Sequence, residues 1–245
     1  MRWINANQLQ TWAGEQIAAR TVLSRLIGQL IRGSAAEISA FRFPAGDSAQ
    51  LQGWDGRLIA SPRDQFKTYV PDGSSVWEWG VEKSPASKAN KDYAKRTTTP
   101  GEDIVPSETT FVFVTPRTWK GAGTWATKNK KDGPWKDVRA IDAVDLEEWL
   151  RLCPAVAASF ARENGFVPSD HAQSIDEFWD IYSGRFSPRL NEKVLLAGRS
   201  QQKQELEQAL VSGSGIQRCK GDSLDEVLAF LCAVVRKYAS GQRHG

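Results

Sequence analysis

Histidine is almost missing from this chain: His171 and His244 are the only two in 245 residues. Chemistry that relies on several histidines is therefore nearly excluded. Cysteine is scarce as well, with Cys153, Cys219 and Cys232 widely spaced beside hydrophobic neighbours, a pattern that suits buried free thiols in a reducing compartment better than disulfides or a zinc site. There is no apolar run of about 18 residues and no basic-then-apolar N-terminus, so the expectation is a soluble, cytoplasmic protein with no membrane partner. A strong charge imbalance is missing too. The formal net charge of +3 does not by itself point to nucleic acid.

What is present is an ordinary globular composition, 40% hydrophobic and 25% charged, in a chain long enough to bury a real core. Its tryptophans are unevenly placed. Nine of the ten lie before residue 150, which separates a Trp-rich part, 1–168, from a smaller part, 169–245.

Along the first part, "TWAGEQIAARTVLSRLIGQLI" (Thr11 to Ile31) repeats apolar residues at helical spacing and predicts one amphipathic helix. "GWDGRLIAS" and "SSVWEWGVE" predict an antiparallel strand pair, with "PDG" as the turn before the second strand. Ser84 and Pro85 then open a helix predicted to run to about Arg96. "TTFVFVTPR" (Thr109 to Arg117) reads as a strand buried on both faces, and Val138 to Leu150 as a short strand that passes into a helix. This order predicts an α/β fold with a mixed central sheet flanked by helices. After residue 169 the pattern reads strand, helix, short strand, helix, a small α/β segment in which Ser223 caps the last helix and Glu226 completes a capping box.

Two acids stand out. Alternation places Val76, Glu78 and Gly80 on one strand face and Trp77, Trp79 and Val81 on the other, so Glu78 occupies a position that is normally apolar. A buried acid needs a partner or a metal. With Asp55 in the "GWDG" box on the adjacent strand, the pair forms an oxygen-rich pocket suited to Mg²⁺, or Mn²⁺ in its place. On spacing alone, a hairpin with one satisfied core glutamate and one turn aspartate is the plainer reading.

A second cluster runs from Arg117 to Arg139. Seven basic residues (Arg117, Lys120, Lys128, Lys130, Lys131, Lys136, Arg139) stand against two acids, with Trp119, Trp125 and Trp135 interleaved. That composition suits a nucleic-acid surface, and it suits equally a solvated loop anchored by core tryptophans.

An acid at a strand start, a glutamate on the next strand, a nearby lysine and then a helix resemble the PD-(D/E)xK, restriction-endonuclease-like nucleases, including the Mrr-like group. "GWDG", "VPDGSSVWEWG", "KANKDYAKRT" and "FVFVTPRTW" together resemble the N-terminal nuclease domain of bacterial antiphage STAND NTPases over roughly residues 1 to 165. "LLAGRSQQKQELEQAL" and "GDSLDEVLAFLCAVV" resemble the segment that leads into the NTPase of such proteins. No G-x-x-x-x-G-K-[ST] occurs, so the resemblance implies the effector end of a longer sensor.

What the resemblance implies is a metal-dependent, largely sequence-nonspecific endonuclease acting on double-stranded DNA. Asp55 and Glu78 would be metal ligands, with Glu15 of the first helix as a further candidate. Homo-oligomerisation and a phage protein as trigger would both work through regions outside this chain. One position departs from the pattern. Gly80 stands where the nuclease motif usually has lysine, so the cation must come from elsewhere, and Lys88 on the following helix is expected to supply it rather than Lys83. Lys88, Asp92 and Arg96 fall on one helix face, and Arg96 or Lys95 is expected to hold phosphate together with Arg117, Lys128, Lys130 and Lys131. The alternative expectation is a catalytically inactive nuclease-fold module that binds DNA or oligomerises.

Overall fold

The computed structural model describes residues 3–44, 53–101, 103–166, 173–212 and 218–241. The chain divides into two compact units, Met1–Asp170 and His171–Gly245. Among the described residues no helix is long and apolar enough to cross a membrane.

The first unit is built on a five-stranded mixed sheet: β1 (Ala35–Arg42), β2 (Gly56–Pro62), β3 (Gly73–Trp79), β4 (Thr110–Val114) and β5 (Asp137–Ile141), in that spatial order. β1–β2 and β2–β3 pair antiparallel, whereas β3–β4 and β4–β5 pair parallel. The helices are α1 (Ala6–Glu15), α2 (Ala19–Ser34), α3 (Pro85–Thr98), α4 (Ala122–Asp132), α5 (Ala143–Leu152) and α6 (Pro154–Glu163). The parallel strands are joined through α3 and α4, as parallel connections require. This is the mixed-sheet α/β fold expected.

Both sheet faces are covered, which explains the continuous apolar run of β4, whose five residues are all buried. On one face Trp77, Trp79, Val112 and Val114 pack with α1, α2, α5 and α6. On the other, Val76, Phe111, Phe113 and Val138 meet Ala89 and Tyr93 of α3 and Trp125 of α4. The predicted alternation along β3 is therefore real. Glu78 belongs to the α3 side.

Three local expectations are corrected. The single helix over Thr11 to Ile31 is two helices, because Asn5 caps α1 early through a reciprocal box with Gln8 and Gln16 turns extended, leaving Ile17 fully exposed between them. β1 was not predicted; most of its residues are exposed, so it lacks the clean alternation of a half-buried strand. Ser84 sits at the N-cap of α3 but makes no capping bond, and Pro85 at the first helical position sets the start.

The second unit contains α7 (Ile175–Ser183), α8 (Glu192–Leu196), α9 (Ser200–Ser212) and α10 (Leu224–Gly241) around Trp179, Tyr182, Ala229 and Ala233. No strand occurs among its described residues: the first strand expected there is helical, and the short strand expected before the last helix lies in part outside the described residues. "VLL" closes a short helix because Asn191 caps it, accepting from the Lys193 amide at 2.8 Å. Ser223 does cap α10, accepting from the Glu226 amide at 3.1 Å, while the Glu226 carboxylate pairs with Arg199.

Candidate active site

Glu78 lies near the C-terminal end of β3, only 3% exposed, opposite Phe113 of β4. Asp55 precedes β2 and turns back toward it. Its Oδ2 accepts from the Trp79 amide at 3.1 Å and its Oδ1 from Arg20 of α2 at 3.3 Å. The sheet register thus brings together the two acids expected to act together. Burial, and then the charge of Asp55, push the Glu78 carboxyl up to about 8, against the opposing pull of Arg96.

α3 supplies the rest of the site. Lys88, Asp92 and Arg96 do lie on one face, and that face is turned inward, with Asp92 buried and the other two half-buried. Asp92 is 6% exposed, and the Lys88 ammonium stands 2.9 Å from its Oδ1 and 2.7 Å from its Oδ2. The ammonium thus spans both carboxylate oxygens. Burial raises the Asp92 carboxyl above its ordinary range; Lys88 pulls it back, and Asp55 and Glu82 push it further up.

Gly80 has the predicted relation to this helix. A Cβ built there would stand 2.7 Å from Lys88 Cγ and 3.4 Å from its Cε, and would also collide with the Glu82 carboxylate. Lys88 therefore occupies the volume that a side chain at residue 80 would fill. Lys83 is exposed.

Other expected site residues are placed differently. Arg96 is not a free phosphate binder: its Nε donates to Glu78, another nitrogen donates to the Gly53 carbonyl, and its guanidinium lies 4.8 Å from the Trp54 ring centroid. Lys95 is exposed on α3. Glu15 is exposed at the end of α1 and does not complete a ligand set with Asp55 and Glu78, because among the described residues no three His, Cys, Asp or Glu side chains stand together as a metal-holding group.

The basic segment also divides. Lys128, Lys130 and Lys131 are exposed on α4, with Lys130 paired to Asp137 at 2.9 Å. Arg117 is a structural pin. Its Nε donates to the Val81 carbonyl at 2.9 Å and its terminal nitrogen to the Gln10 carbonyl at 2.6 Å, tying α1 to the segment after β3. Trp135 is buried, and Trp119 and Trp125 pack edge-on or tilted against Phe113 and Phe111, so the tryptophans anchor the core. Arg20 was missed by sequence reasoning. No local pattern links it to Asp55, which lies 35 residues away.

No protein-family model, curated protein or solved structure matches this chain.

Asp55 and Glu78 offer oxygen donors of the kind a hard divalent cation takes, two acids with no third beside them among the described residues. Two carboxylates from neighbouring backbone segments converge, and Glu78 is raised first by burial and then by the charge of Asp55, the part that such an ion would relieve. With two protein oxygens, Mg²⁺ or Mn²⁺ would draw its remaining ligands from water or a phosphate.

Proposed function

We propose that this chain is a metal-dependent endonuclease domain that hydrolyses phosphodiester bonds of double-stranded DNA with little sequence preference. One observation carries the reading: a buried carboxylate, Glu78, is crowded by a second, Asp55, while Lys88 reaches over Gly80 on the same face. The likeness of four of its segments to PD-(D/E)xK nucleases of antiphage STAND NTPases points the same way.

In this reading Asp55 and Glu78 would hold Mg²⁺ or Mn²⁺, which would supply charge neutralisation at the scissile phosphate and a more acidic water. Lys88 stabilises the charge that builds on the non-bridging oxygens. A water oxygen bonds to phosphorus as a bridging P–O bond breaks, the proton from water leaves to solvent, and the departing oxygen takes one up. Arg96, now paired with Glu78, would have to give up that pair for the carboxylate to hold an ion, and could then meet phosphate. In a longer protein, oligomerisation through further domains and a phage trigger would set the activity.

A second reading rests on a different observation. Both acids already carry arginine partners, Arg20 on Asp55 and Arg96 on Glu78, and these could be permanent in a nuclease-fold module that only binds DNA or oligomerises. A supercoiled-plasmid assay separates the two: nicking with Mg²⁺ and its loss with EDTA support the nuclease, whereas salt-sensitive DNA binding without nicking supports the module.

A further inference from the structure

Asp92 has no role in the reading above, yet it is a carboxyl that burial pushes above its ordinary range. It is 6% exposed in the middle of α3, and both of its carboxylate oxygens face one cation, the Lys88 ammonium, at 2.9 and 2.7 Å. Asp55 and Glu82 both disfavour its charge, and Lys88 is the cation that sustains it. An apolar residue would serve the packing of α3 on the sheet better.

What Asp92 does achieve is geometric. A free lysine side chain has several rotatable bonds and loses considerable entropy when fixed. Lys88 is held at both ends: its stem lies against Gly80, where a Cβ would come within 2.7 Å of Cγ, and its ammonium stands 2.7 to 2.9 Å from the Asp92 carboxylate. Its side chain is only 16% exposed, so little water competes for the ammonium. The i,i+4 spacing on a helix makes this clamp local and stiff.

We propose that Asp92 is the positioning residue for Lys88, holding its ammonium over Gly80 at the place where charge develops on the phosphate. The proposal rests on the nuclease reading and deepens it. Asp92 itself touches neither metal nor substrate; it acts through Lys88.

The test is a double-mutant cycle on plasmid nicking by the whole chain, together with Mg²⁺ calorimetry on each variant. Asp92→Asn is expected to lower kcat about 10-fold or more with little change in KM, because a mispositioned lysine is missed chiefly in the transition state. In a Lys88→Ala background, itself about 10²-fold slower, Asp92→Asn is expected to cause no further loss, since the two act as one unit. Mg²⁺ affinity should be unchanged by Asp92→Asn. If that variant melts well below wild type, Asp92→Glu carries the test, because it keeps the charge at i,i+4 and should restore most of the rate.

Asp92→Asn cutting at the wild-type rate, losses that simply multiply in the double variant, or a fall in Mg²⁺ affinity would each overturn the positioning role while leaving the nuclease reading in place. A wild-type protein that binds DNA but never nicks it would overturn both.

Discussion

Lys88 lies across Gly80: a Cβ on residue 80 would approach Cγ of the lysine to 2.7 Å. The strand has given up its own side chain, and one from the next helix fills the space. Gly80→Ala should therefore push Lys88 aside, lowering cleavage by about 10-fold or more, with an overpacking cost of roughly 1–3 kcal/mol in stability. Nicking rates and thermal melts of the variant check this. A Gly80→Ala protein that melts and cuts like wild type would show that Lys88 does not need this track.

The crowded acids set a pH dependence with a definite sign. Glu78 is raised from 4.5 to about 8 in the folded protein, so between those values the native state holds a proton that the unfolded chain has lost. Stability should then fall as pH rises from about 4.5 to about 8 and level off above that, and the raised Asp92 carboxyl adds to the fall. Urea midpoints across this range measure it. Glu78→Gln should flatten the slope, and an unchanged slope in that variant would place the titrating group elsewhere.

The same proton must leave before the carboxylate can bind a cation. Mg²⁺ affinity should accordingly climb with pH until about 8, with proton release on binding. Calorimetry in buffers of different ionisation enthalpy reads that release directly. Affinity independent of pH over this range would argue against Glu78 as a ligand.

On α4 the lysines are not equivalent. Lys128 and Lys131 are exposed, whereas Lys130 is tied to Asp137 at 2.9 Å. Replacing Lys128 and Lys131 together by Gln should flatten the dependence of log affinity on log salt by about 1.8, from ~0.9 per lost phosphate contact. Lys130→Gln should change it less. Arg117→Gln, by contrast, should lower stability and leave the salt slope alone, because its guanidinium is spent on the Val81 and Gln10 carbonyls. An unchanged slope in the Lys128 and Lys131 variant would make the cluster a solvated face.

What could be read in advance was local. Period-two alternation in "SSVWEWG" placed Glu78 opposite the Trp77 and Trp79 face, and Pro85 marked the start of α3. The face shared by Lys88, Asp92 and Arg96 followed from helical spacing. What could not be read was long-range partnership. Arg117 meets Gln10, 107 residues away, and Arg20 meets Asp55 across 35; nothing in the neighbourhood of either arginine foretells the contact. β1 escaped because its exposed residues show no clean period, and "VLL" misled because apolar triplets fit a strand or a short capped helix equally. The tryptophans of 119–135 resembled stacking platforms until their packing against Phe111 and Phe113 put them in the core.

The central claim, that Asp55 and Glu78 hold the metal for cleavage, is tested most directly by the Mg²⁺-dependent nicking rate of Asp55→Ala and Glu78→Ala, each with a melting profile matched to wild type. The account predicts that wild type nicks supercoiled plasmid with Mg²⁺ but not with EDTA, and that each variant loses the activity. A correctly folded variant that nicks at the wild-type rate would contradict it.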